Sequence, residues 1–336
     1  MLTLSIALMY ACSKNEEEVS NQETKIAFTV PANFPAPVYN FEDNKLTNAG
    51  FALGKKLFYD ARLSADKSVS CGSCHQQFAA FTQLDHKVSH GVNNCQGKRN
   101  TPPLVNLAWQ KAFFWDGGVK NMETSPLNAI TDACEMGTDI QTIVTFLKVT
   151  APYPDMFKQA CGTTEINSQL ILKSITQFTA MLVSANAKYD QVMRKENRAA
   201  FTAAEQAGYA LFKEKCSSCH AEPFFTDFSY RSNGLDLVST DEGRSHITSV
   251  QADFGKFRVP TLRNIEYTSP YMHDGRFYSL DEVLNHYDSG VKAAENLDAS
   301  LKTGIPLSNP QKEQIKAFLK TLTDHEFIKN TLFSES

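Results

Sequence analysis

Cys71-Gly72-Ser73-Cys74-His75 and Cys216-Ser217-Ser218-Cys219-His220 carry the most telling chemistry in this chain. Each is a C-x-x-C-H pentapeptide. Two thiols at this spacing reach the two vinyl groups of one porphyrin, and the adjacent histidine lies under its iron. A single C-x-x-C would also serve as half a zinc site or as a redox dithiol. Both rivals weaken because the pattern occurs twice, ends in His each time and sits in similar surroundings. Cys71, Cys74 and His75, and Cys216, Cys219 and His220, are therefore read as two covalent c-type haem sites. His75 and His220 are the proximal iron ligands.

The elements that must position these sites show the periodicity of helices. Thr47 to Asp60 carries Phe51, Leu53, Leu57 and Phe58 at near-helical spacing, with a turn at residues 59–64 before the first motif. Helices are expected over Ile140–Thr150, Asn167–Gln191, Leu280–Tyr287 and Asn309–Leu322. Thr202 with Glu205 forms a capping box for a further helix leading into the second motif. Residues 76–108 and 229–255 read as long loops, and alternating strand patterns are scarce. The fold class expected is mainly α, with long loops and little strand.

The two halves repeat. Gly50–Phe58 precedes the first motif and Gly208–Phe212 the second; Phe81-Thr82 follows one His and Phe225-Thr226 the other. Pro102-Pro-Leu-Val-Asn106 answers Pro260-Thr-Leu-Arg-Asn264. Nine residues beyond each Asn stands Trp115-Asp116-Gly117 or His273-Asp274-Gly275. A shared register over four features argues for two cytochrome-c-like domains related by duplication, with a cleft between them. Residues 41–200 and 201–336 are the expected domains, divided at the polar stretch Lys195–Ala200.

With 336 residues, 42% hydrophobic and a net charge of −4, the chain can form two cores and gives no reason to expect nucleic acid as a partner. Residues 1–12 resemble a lipoprotein signal ending at Cys12, although no basic residues precede the apolar run and Met9 and Tyr10 fit that pattern poorly. The run is too short to span a bilayer as a helix. Export, with a lipid anchor at Cys12, is the expectation, and residues 13–40 read as a Pro-containing tether. Export permits a disulfide among Cys95, Cys134 and Cys161. Three thiols make at most one pair, and the choice stays open.

These residues resemble the bacterial di-haem cytochrome c peroxidase family, which includes the MauG-type enzymes. The resemblance runs from about Leu46 to Leu322. It rests on both haem motifs, Lys98-Arg99-Asn100-Thr101-Pro102, Phe114–Gly117, Cys134-Glu135-Met136 and the segments Pro260–Asn264 and Tyr271–Gly275. It implies peroxide reduction to water at the His75 haem. Electrons would come from a small periplasmic cytochrome or cupredoxin through the His220 haem. The alternative it implies is a MauG-like enzyme that oxidises residues of a protein partner through a high-valent state. A carrier with two six-coordinate irons is a third reading.

The resemblance also assigns roles. Glu135, twenty residues after Trp115, takes the position of the distal acid/base; on its own it would read as a solvated surface glutamate. His90, with His86 nearby, is either a resting ligand that is released on reduction or an exposed loop histidine. Trp115 would relay electrons between the haems. Tyr287, fourteen residues after His273, stands where main-type peroxidases carry a Met ligand, as in MauG-type enzymes; Met272 is the competing ligand. Asn100, Thr268 and Pro270 match the family's Ca²⁺ site. Arg99, Arg258 and Arg263 are unranked candidates for the haem propionates. Ser125 replaces a Gln that relatives often carry. A homodimer is compatible with the family.

Overall fold

The structure, a computed structural model, describes residues 25–335; the expected signal, Cys12 and the first part of the tether lie outside the described residues. It is mainly helical. The one sheet among the described residues pairs Tyr230–Arg231 with Phe257–Arg258, antiparallel. Nearly every predicted helix is present within a few residues: Asn48–Tyr59, Ile140–Val149, Ala203–Lys215, Leu280–Asn285 and Asn309–Lys320. The Thr202 hydroxyl accepts from the Glu205 N–H while the Glu205 carboxylate accepts from the Thr202 N–H, so the expected capping box forms.

Each half is built around a tightly packed helix pair. Asn48–Tyr59 lies against Ser168–Ala180, and Ala203–Lys215 lies against Asn309–Lys320. The contacts correspond residue by residue. A Cβ on Gly54 would stand 1.9 Å from the Ser174 carbonyl oxygen, next to Phe178; a Cβ on Gly208 would stand 1.9 Å from the Gln314 carbonyl oxygen, next to Phe318. Gly54 therefore matches Gly208, and Phe58 matches Phe212. The shared spacing is Gly-x-x-x-Phe, and the first half inserts extra residues between Phe58 and its haem motif. Phe58 with Phe178, and Phe212 with Phe318, have ring centroids 5.0 Å apart in both halves.

The correspondence continues outside the helices. Asn106 and Asn264 both adopt left-handed backbone and donate their N–H groups to Leu182 and Leu322 carbonyls. Phe113 N–H bonds to the Val119 carbonyl, and Tyr271 N–H to the Phe277 carbonyl, closing equivalent tight loops. Within those loops Gly117 and Gly275 have φ of +68° and +67°, a region open to glycine at little cost. Each loop packs on the other half: Gly117 against the Tyr230 hydroxyl, Gly275 against the Lys87 carbonyl.

Three expectations need correction. The helix expected over Asn167–Gln191 ends at Ala180 and resumes as Lys188–Met193. The intervening chain is extended because Asn106 binds it at both ends, accepting from Ser184 N–H and donating to the Leu182 and Ser184 carbonyls. Residues 25–40, expected as tether, are packed against the body. Phe34 meets Trp109 and Phe224 edge-on, and Trp109 Nε1 donates to the Pro35 carbonyl. Finally, Phe327, Ile328 and Phe333 bury themselves with Phe51, Phe81 and Phe178, so the C-terminal tail belongs to the core of the first half. Tyr59 donates to the Phe333 carbonyl across that junction.

Glycine costs a helix interior about 1 kcal/mol relative to alanine, so Gly54 and Gly208 are expected to be there for the close approach. Gly208→Ala and Gly54→Ala should each lower stability by about 1–3 kcal/mol through overpacking, read as a lower midpoint in denaturant unfolding. An alanine variant as stable as the parent or more so would contradict the packing described.

Candidate functional site

The second C-x-x-C-H motif begins directly beyond the Ala203–Lys215 helix, and both motifs turn sharply through their histidines. Cys71–Cys74 is a single helical turn, with Ser70 and Ser73 bonding reciprocally at its start. His75 Nδ1–H donates to the Phe81 carbonyl at 2.8 Å, and His220 Nδ1–H donates to the Phe225 carbonyl at 3.0 Å. Each imidazole is thereby oriented with Nε2 carrying the lone pair, as an iron ligand requires. Burial lowers both histidine pKa values, that of His75 to about 4, so each ring is neutral and able to ligate. All four motif thiols are half-buried and outside any disulfide. Two free thiols with an adjacent, oriented imidazole fit a covalent haem in each half.

Glu135 stands near the first motif. Its carboxylate acts electrostatically on both Cys71 and Cys74. Burial, reinforced by Asp132, raises its pKa to about 7. At neutral pH it therefore both holds and releases a proton. The preceding residue, Cys134, is disulfide-bonded to Cys95, which settles the pairing the sequence left open; Cys161 is free. His90 takes a different position from Glu135. Its Nδ1 pairs with the Asn94 side chain at 2.8 Å on an exposed stretch, and its ring leans on His86. Ser125 directs its hydroxyl to the Met122 carbonyl, at the start of the Ser125–Thr131 helix.

Tyr287 stands near the second motif. It lies in a π-helical turn, His286–Gly290, that extends the Leu280–Asn285 helix. Such turns are frequent at functional sites because they re-aim one side chain. Its phenol sits by the Cys216 and Cys219 thiols and bonds to Asn233, and burial raises its pKa. The Asn233 amide also donates to the Met272 sulfur at 3.4 Å. Tyr287 and Met272 therefore converge on one asparagine, which the sequence did not single out. Its neighbourhood was hidden because Asn233 lies in a loop far from either residue.

Trp115 lies on the seam between the halves. Its Nε1 donates to the Asn100 carbonyl at 2.7 Å, and its carbonyl accepts from Arg258 N–H at 2.7 Å. Asn100 N–H in turn donates to the His273 carbonyl at 2.7 Å, and His273 stacks on Phe257 with centroids 3.6 Å apart. Asn100 is buried, with its Nδ2 on the Lys87 carbonyl. Asn100 is thus placed against His273 of the second half.

The three arginines are now distinguishable. Arg263 and Asp190 form a pair in which neither side chain is exposed, and Arg263 also donates to the Pro223 carbonyl. Arg99 grips Asp241 with two bonds and Asp116 with a third, tying the halves together. Arg258 has no carboxylate partner among the described residues. It donates to the Phe114 carbonyl and the Gln110 side chain, and burial lowers its pKa. A buried guanidinium without an anion is a fit for a haem propionate.

Comparison with known proteins agrees with this geometry. The family model described as di-haem cytochrome c peroxidase matches residues 48–198. The methylamine utilization protein MauG of Methylorubrum extorquens is 35% identical, over 89% of this chain and 84% of that protein. The cytochrome c551 peroxidase of Nitrosomonas europaea is 33% identical, over 82% of this chain and 80% of its own length. The crystal structure of a MauG-like protein associated with microbial copper homeostasis superposes with a TM-score of 0.84 at 30% identity, covering 92% of this chain and 99% of that one.

The raised pKa of Glu135 has a consequence for stability. Between about 4.5 and about 7 the folded protein holds a proton that the unfolded chain has released. Its contribution to stability is therefore fully present below 4.5 and is lost as pH rises through 7. Glu135→Gln should flatten the pH dependence of unfolding in that window. Parallel curves for parent and variant would show that the carboxyl is solvated.

Proposed function

The chain belongs to the di-haem cytochrome c peroxidase family, and on that footing we propose that it reduces hydrogen peroxide to water, with Glu135 as the acid/base at the haem of His75. It is an oxidoreductase with two c-type haems, as its family implies. The observation that carries the assignment is the desolvated Glu135 carboxyl beside Cys71 and Cys74, with a pKa of about 7. A haem held by Cys71, Cys74 and His75 would supply the two electrons that cleave the O–O bond and would regain them from the electron donor. Glu135 would take the proton from one peroxide oxygen and deliver it to the other, which leaves as water; the remaining oxygen leaves as a second water with two protons from solvent once two donor electrons have arrived. His75 is held in its ligating tautomer by the Phe81 carbonyl.

Electrons would enter at the His220 site from a small donor protein, a cytochrome c or a cupredoxin, and cross the seam near Trp115. Arg258 is the arginine assigned to a propionate. Asn100, with the carbonyls of Thr268 and Pro270, is assigned to a Ca²⁺ that would stiffen the same seam, since oxygen donors suit that ion. We assign residues 41–200 and 201–336 to the two domains, with the C-terminal tail returning to the first. We place the protein outside the cytoplasm, on the export reading of residues 1–12.

A second reading is favoured by particular observations. Tyr287, not a methionine at the same spacing, reaches the second motif, and His90 is bonded to Asn94. Both match a MauG-like enzyme that oxidises residues of a protein partner. A phenolate ligand stabilises ferric iron, whereas a thioether raises the potential.

Glu135→Gln should lower the rate of reaction with peroxide by about 10²–10⁴-fold, with both haem spectra intact, in stopped-flow measurements. A rate equal to that of the parent would remove Glu135 from the mechanism. Tyr287→Met should raise the reduction potential of one haem only, in a spectroelectrochemical titration. An unchanged potential would transfer the ligand role to Met272.

A further inference from the structure

The segment that carries Glu135 is clamped by a loop whose start touches the first haem anchor. Ser89 lies beside the Cys74 thiol, and its carbonyl accepts from Gly97 N–H at 2.9 Å. Between those ends the loop folds onto Glu135. Val92 N–H donates to the Glu135 carbonyl at 2.9 Å, and Gly91 N–H donates to the Cys95 carbonyl at 2.8 Å. Cys95 is covalently joined to Cys134, the residue directly before Glu135, with Cα atoms 4.8 Å apart.

Gly91 makes the closest approach. A Cβ there would stand 2.1 Å from the Cys134 carbonyl oxygen and 2.4 Å from that of Glu135. Its φ is −93°, which any residue adopts, so the glycine is required by the approach of the Cys134–Glu135 backbone. Asn93 and Asn94 hold left-handed backbone with φ of 55° and 56° and are exposed. The disulfide, an Asn93 N–H bond to Asp66 and the Asn94 side chain's bond to His90 close that turn. On its far side the Glu135 segment meets the body through Met136, which bonds Ala65 and Ala129. Glu135 is thus held between the haem-side body and this loop.

We propose that the Cys95–Cys134 disulfide and Gly91 are positioning residues, which set where the Glu135 carboxyl stands over the first haem pocket by clamping residues 89–97 onto the 134–135 backbone. This rests on the acid/base reading of Glu135. The clamp acts through placement, because proton delivery to peroxide depends on the carboxyl lying within hydrogen-bond reach of both oxygens. Displacements near 1 Å lower rates by up to roughly 100-fold.

The test uses haem-loaded protein carrying Cys95→Ser with Cys134→Ser, or Gly91→Ala, each with and without Glu135→Gln. Both haems should be retained. The peroxide rate should fall about 10–100-fold in either variant. The Val92 amide should exchange hydrogen faster, and neither change should lower the rate further once Glu135 is glutamine. If the serine pair does not take up haem, Gly91→Ala, which keeps the disulfide, decides by the same readouts. A peroxide rate within about twofold of the parent overturns the clamp, as does an equal loss in the Glu135→Gln background, which marks general damage. If Glu135→Gln alone leaves the rate intact, the acid/base reading itself fails and the clamp has no catalytic group to position.

Discussion

Two backbone carbonyls, those of Phe81 and Phe225, hold the chemistry of this molecule in place. Each accepts the Nδ1 proton of a haem-motif histidine, so each fixes both the tautomer and the direction of a ligand. Both phenylalanines adopt left-handed backbone, with φ of 61° and 54°. For a bulky residue that conformation costs about 1–3 kcal/mol. Both rings are fully buried, and burying a phenylalanine returns about 1.5–3 kcal/mol. The turn is therefore sustained by the aromatic cores: Phe81 by Phe58, Phe178 and Phe327, and Phe225 by Tyr189, Phe212 and Phe318. The glycine-mediated helix pairs exist to bring those rings together.

On this repeated scaffold the two halves differ in the side chains beside their motif thiols. The first half sets a desolvated carboxyl near its motif. The second sets a phenol there, delivered by a π-helical turn with no counterpart in the first half among the described residues. The seam joins the two through paired exchanges. Each Asp-Gly loop packs on the other half, Arg99 grips Asp116 and Asp241 at once, and Trp115 and Asn100 exchange bonds with Arg258 and His273. These short polar contacts act beside apolar ones that also join the halves, Trp109 against Phe224 and the C-terminal tail against Phe81 and Phe178.

Much of this was legible in the sequence because it is local or repeated. The C-x-x-C-H spacing, the Thr202–Glu205 cap and the Trp115/His273 register each declare themselves over a few residues. The duplication made each half a check on the other. What was not legible depends on partners far along the chain. Asn106 pulls residues 182–184 out of a helix whose apolar pattern continues past Ala180. The pairing of Cys95 with Cys134 needs the loop fold. The three arginines look alike until Asp190 and Asp241 are placed. Phe28 and Phe34 lie in a polar, proline-containing stretch, and only the presence of Trp109 and Phe224 shows that they are anchors.

The central claim is that two like haem anchors are made unequal by the residues facing them. Cyanide titration of the ferric protein, followed by electron paramagnetic resonance, tests this directly. One haem, the one removed by His75→Ala, should bind cyanide and convert from high to low spin, while the other keeps its signal. Two haems that both bind cyanide, or neither, would contradict the account.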